Sequence, residues 1–163
     1  MKLIPYGKQF LDYHDLNGLK NALFEDFLTT GKSVSKLEDA IKKFTTSKYS
    51  LSCNSGTSAL YLAFKSLNIT SKDNVIIPSI NFVAACNMLK ILGANVFLAD
   101  VDKHTGQMRP IDVLNCIRNN KLKKIKAIVT MYLGGEPDNI GGFYNLKKKL
   151  NFRIIEDACH ALG

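Results

Sequence analysis

From Val34 onward the spacing of apolar residues changes period again and again. Val34, Leu37, Ile41 and Phe44 stand three or four apart, the spacing of one helix face. "YSLSC" (49–53) reads as a short strand, and Leu60, Tyr61, Phe64 and Leu67 return to helical spacing. "NVIIP" (74–78) is a β-branched run closed by proline. "FVAACNMLKIL" (82–92) is apolar almost all round, which predicts a buried helix stopped at Gly93. "NVFLAD" (95–100), "KAIVTMY" (126–132) and "FRIIE" (152–156) predict three more strands. Ile111, Leu114 and Ile117, then Phe143, Leu146 and Leu150, mark the helices between them. Strands that are continuous apolar runs, each followed by a helix, predict a mostly parallel sheet covered on both faces. The class is α/β.

The start of the chain differs. Residues 1–32 read as an N-terminal arm and one helix, about Asp15 to Leu28, ending at "TTG"; residues 33–163 hold the α/β alternation. No internal repeat or low-complexity segment breaks this division.

Composition changes the picture little. The chain of 163 residues is 46% hydrophobic and 22% charged, in the range of a globular domain with a real core. No apolar run reaches the roughly 18 residues a spanning helix needs, and "MKLIPYGKQF" meets proline and glycine too early for a signal core. A cytoplasmic protein without a membrane partner is expected. The net charge of +8 raises the question of nucleic acid. Lysine carries most of it, in "KLKKIK" (121–126) and "KKK" (147–149), with no interleaved aromatics to stack on bases. Solvated helix faces explain these runs better, and no nucleic-acid partner is expected. Cys53, Cys86, Cys116 and Cys159 stand far apart, which predicts small buried thiols rather than a zinc site or disulfide framework.

Chemistry gathers where the strands end. Ligands of parallel sheets bind beyond the carboxyl ends of strands, and four segments there draw notice: "NSGTSAL" (54–60), "PSINF" (78–82), "YLGGEPDN" (132–139) and "EDACHALG" (156–163). In the first, small hydroxyl residues and a glycine open a helix. They either cradle a phosphate on free N–H groups or simply supply Ser55 or Thr57 as a cap. Phe82 either joins the core or covers a flat ring. Asp157 and His160 follow the last strand. There the carboxylate caps a following helix or serves as counter-ion to a protonated heterocycle.

Together these residues resemble the sugar aminotransferases of the DegT/DnrJ/EryC1/StrS family, fold-type-I enzymes that use pyridoxal phosphate. The similarity is collinear from "IPYGKQFLDYHDL" (4–16) and "LTTGKSVSKLED" (28–39) through "SCNSGTSALYLAF", "VIIPSINFVAACNML", "LADVDKHTGQM" and "YLGGEPDNI" to "IIEDACHALG". It implies a three-layer αβα large domain. It also implies that Gly56, Thr57 and Ser58 bind the cofactor phosphate and that Phe82 stacks on the pyridine ring. Asp157 would pair with the ring nitrogen and keep it protonated, and His160 would lie near the phenolic oxygen. The implied reaction carries an amino group, usually from glutamate, to a keto group of a nucleotide-linked deoxysugar, in a homodimer. Departures are Asn81 for the usual Thr, Lys32 for Pro, and "YLGGE" for a His-Leu-Tyr-Gly stretch.

In that family the Schiff-base lysine lies some tens of residues beyond the "EDA" motif. The resemblance therefore implies that the chain is the N-terminal portion of such an enzyme, inactive alone. It also implies that two strands separating "YSLSC" from "FRIIE" are supplied from further along. Other readings are a sugar 3-dehydratase of the same family, with histidine in place of that lysine, and a non-catalytic binding module. A generic dinucleotide-binding domain lacks its G-x-G-x-x-G after the first strand.

Overall fold

The computed structural model describes residues 7–162. Met1–Tyr6 of the expected arm and the final Gly163 lie outside the described residues. Contacts divide the chain into two compact units, Met1–Ser52 and Cys53–Gly163.

The first unit holds α1 (Tyr13–Leu23) and α2 (Lys32–Thr45). The predicted helix from Asp15 to Leu28 begins two residues earlier and ends five sooner. Asp12 explains the start. Its carboxylate accepts from the N–H groups of His14 and Asp15, at 2.7 and 3.2 Å, while Asp15 accepts from the Asp12 N–H at 2.9 Å. This reciprocal capping box satisfies amides that a helix start otherwise leaves open. α2 ends where Thr46 turns left-handed at φ 53°.

The expected strand at 49–53 does not form. Among the described residues it joins no ladder, and Ser52 instead donates from its N–H and hydroxyl to Glu38, at 2.8 and 2.9 Å. A strand needs a partner edge, and the stretch is bonded to α2 instead. The Ser52 N–H, then its hydroxyl, hold the Glu38 carboxyl below the ordinary glutamate range.

The second unit is the predicted α/β body. Its order is α3 (Gly56–Ser66), β1 (Asn74–Pro78), α4 (Ala84–Ile91), β2 (Asn95–Ala99), α5 (Pro110–Asn119), β3 (Ala127–Met131), α6 (Ile140–Leu150) and β4 (Arg153–Asp157). The strands run parallel in the order β2-β1-β3-β4. Period-2 alternation sends Val75, Ile77, Ala127 and Val129 to one face, against Leu60 and Phe64 of α3 and Ala84, Ala85 and Leu89 of α4. Ile76, Ala99 and Ile128 go to the other, against Val113 and Cys116 of α5 and Phe143 and Leu146 of α6. Helices thus cover both faces, the expected three layers.

Two expectations about burial change. α4 is not buried all round: Ala84, Ala85 and Leu89 face the core, but Ile91 is 68% exposed. Small alanines let that face approach the sheet, while Cys86 and Met88 stay only partly buried beside the same core. Only Cys116 is a buried thiol; Cys86 is half-buried, and Cys53 and Cys159 are exposed in loops at the sheet's carboxyl edge. No helix of the described residues is long and apolar enough to cross a membrane.

Candidate active site

The predicted site residues share the carboxyl edge of the second unit. α3 begins there because Ser55 caps it: the Ser55 hydroxyl accepts from the Ser58 N–H at 3.2 Å. The Ser58 hydroxyl lies 3.1 Å from that of Ser55 and donates to Asn54 Oδ1 at 2.7 Å. The cap and the cradle are therefore compatible. Ser55 satisfies one amide, while the Gly56 and Thr57 N–H groups, first and second in the helix, have no carbonyl of their own helix to meet. The helix dipole adds partial positive charge at that end.

β4 delivers Asp157 to the same edge, only 7% exposed. Its carboxylate accepts from the Cys159 N–H at 3.3 Å and takes a hydrogen bond from the Cys159 thiol. That bond, then burial, pushes the thiol up to about 11. No helix follows Asp157 among the described residues. The chain turns instead, with the Ala161 N–H donating to the Ala158 carbonyl at 2.8 Å. The turn brings Cys159 beside the cradle, since a Cβ built on Gly56 would lie 3.4 Å from its sulfur. A groove of about 180 Å³ runs between α3 and β4 here, lined by Gly56, Ala59, Ile155 and Asp157 among others.

The loop after β3 reaches the same turn. The Tyr132 N–H donates to the Asp157 carbonyl at 3.3 Å, and the Gly134 N–H donates to His160 Nδ1 at 3.4 Å. This contact was not foreseen; the adjacent glycines of "YLGG" were its one signal. Phe82 sits two residues before α4 and is 67% exposed, so it is no core residue. It shares the edge with the others. Beside it, both amide atoms of Asn81 are buried with no hydrogen-bond partner among the described residues. Such an orphaned group is costly unless something else meets it.

A family model, the DegT/DnrJ/EryC1/StrS aminotransferase family, matches residues 10–163. The chain belongs to that family. Among solved structures it is similar to PseC of Helicobacter pylori, described as an aminotransferase involved in the biosynthesis of pseudoaminic acid. Identity is 30% and the TM-score 0.87, over 99% of this chain and 43% of that one. An aminotransferase from Psychrobacter cryohalolentis is 27% identical, with a TM-score of 0.86, over 98% and 40%. Spr1654 from Streptococcus pneumoniae, in its PLP form, is 24% identical with a TM-score of 0.87, over 98% and 44%, and shares the fold. The chain spans about two-fifths of the length of the solved structures it matches.

The residues present fit pyridoxal phosphate. Unpaired amides at a helix start suit a phosphate, and the buried carboxylate suits a protonated ring nitrogen.

Proposed function

We propose that this chain forms the cofactor-binding part of a pyridoxal-phosphate aminotransferase whose acceptor is a nucleotide-linked keto-deoxysugar and whose donor is glutamate. The buried Asp157 carboxylate at the end of β4, next to the start of α3, carries this reading. The Gly56 and Thr57 amides and the Thr57 hydroxyl would hold the phosphate, joined by the Ser58 hydroxyl once it turns from Asn54 Oδ1, to which it donates here. Phe82 would cover the ring and exclude water from one face. Asp157 would hold the proton on the ring nitrogen, and His160 would lie near the ring's phenolic oxygen. The bound cofactor supplies an electron-accepting ring that stabilises negative charge on the substrate carbon. Family membership supports the amino transfer; the sugar and glutamate rest on the motif resemblance. We place the enzyme in the cytoplasm as a homodimer, where the exposed thiols Cys53 and Cys159 stay reduced.

The test is Asp157→Ala in the whole protein, assayed for glutamate-dependent amination of a keto-sugar nucleotide and for cofactor affinity. Loss of a charge that acts in the transition state is expected to lower the rate by about a hundredfold or more. Turnover within about threefold of wild type would reduce Asp157 to a turn-former, because one positioned electrostatic group is ordinarily worth far more.

A further inference from the structure

His160 is gripped from outside its own turn. The single helical turn Leu133–Gly135, between β3 and α6, meets it twice. The Gly134 N–H reaches its Nδ1, and the Gly135 backbone lies against its carbonyl. A Cβ built on Gly135 would stand 2.5 Å from the His160 oxygen, a separation that real side chains do not adopt. Both glycines have positive φ, 75° and 87°, which side-chain-bearing residues enter only at a cost. The loop is also fastened below: the Gly135 N–H donates to the Tyr132 carbonyl at 3.0 Å, and Tyr132 is tied through its own N–H to Asp157. Gly135 therefore allows the two loops to approach, and Gly134 uses the approach to aim its amide.

We propose that Gly134 and Gly135 are positioning residues that fix the tautomer of His160. A neutral imidazole accepts only at its unprotonated nitrogen. With Nδ1 accepting from Gly134, the proton resides on Nε2. His160 thus acts as an Nε2–H donor, three residues beyond Asp157. The inference rests on the proposed function for its use, since that donor suits the negatively charged ring oxygen of the cofactor. The tautomer itself can be read without cofactor.

The experiment labels the histidines with ¹⁵N and records long-range proton–nitrogen correlations on the cofactor-free protein at about pH 9, where imidazoles are ordinarily neutral. His160→Gln identifies the signal among the three histidines. The expected pattern is one tautomer, with a pyridine-type Nδ1 and a pyrrole-type Nε2. Gly135→Ala should force the loops apart and give averaged, mixed-tautomer shifts. Gly134→Ala is the control: it carries the same backbone strain and keeps its N–H, but its Cβ meets nothing within 4 Å. It should leave the His160 pattern unchanged. A wild-type proton on Nδ1, or averaged wild-type shifts, would overturn the proposal even if Gly135→Ala fails to fold. So would a Gly135→Ala spectrum with the wild-type tautomer, or equal scrambling by Gly134→Ala. A separate titration with pyridoxal phosphate keeps the two ideas apart. Failure to bind it, with the tautomer as expected, sinks the functional reading and leaves the clamp standing.

Discussion

The two units of the chain reach their secondary structure by different routes. In the first, neither α1 nor α2 contains a buried residue, and Leu19 and Phe24 are 60% and 81% exposed. Local devices hold these helices: the Asp12 box, the left-handed end at Thr46, and the Glu38–Ser52 bonds. In the second unit, Phe64, Val75, Ile76, Leu89, Val113 and Ile128 are fully buried, and the helices are held by the faces they press on the sheet. Isolated helices of fewer than about 12–15 residues are marginal in water. Among the described residues, only the second unit owns the packing that makes helices stable. It also owns every residue proposed to touch the cofactor, as a site requiring fixed geometry demands.

The largest expected effect breaks the comparison at its stronger end. Phe64→Ala removes a side chain with no exposed surface from between α3 and the sheet. It should destabilise the second unit by about 3–5 kcal/mol, as large-to-small core changes do. Leu19→Ala in α1 should cost under about 0.5 kcal/mol, the surface range. Denaturant titration of both variants decides, and equal losses would mean that α1 is packed as tightly as α3.

A chemical effect of intermediate size distinguishes an exposed thiol bound into the site from an ordinary one. Cys159 is held up to about 11 by its bond to Asp157, so its neutral form is favoured. The sign follows: the bond's contribution to stability is complete below the ordinary thiol range and is lost as pH rises through about 11. At pH 8 iodoacetamide should modify Cys159 on the order of a hundredfold more slowly than a free thiol, because the thiolate is the nucleophile. Asp157→Ala should restore most of that rate. Mass spectrometry of the labelled cysteine reads both, and fast labelling of Cys159 in the wild type would contradict the bond.

These contrasts also explain what could be read from the chain in advance. The alternation of apolar runs with helical spacing is local, so β1 to β4 and the helices between them were legible. Ladder partners are not local, and "YSLSC" has the composition of a strand but bonds to Glu38. Burial of an aromatic is not local either, which is why Phe82 read first as core and only then as a cover for a flat ring. The edge holding Gly56, Phe82, Asp157 and His160 followed from topology once the sheet was parallel. The grip on His160 did not, because it depends on how closely two loops approach, and the pair Gly134–Gly135 shows only that such an approach is permitted.

The smallest expected effect tests whether the first unit is as local as it looks. The Asp12 carboxylate accepts two backbone amides, and Asp15 returns the bond to Asp12, all within four residues. Nothing in that box requires the rest of the chain. A peptide covering residues 7–31 should therefore keep a measurable helical fraction, and Asp12→Ala should lower it by an amount equivalent to about 1 kcal/mol at the helix end. Asp12→Asn, which retains an acceptor oxygen, should recover most of the loss. Circular dichroism of the three peptides at low temperature measures the series. If Asp12→Ala leaves the peptide unchanged but unfolds α1 in the protein, the helix depends on packing after all, and the contrast between the two units would be one of degree.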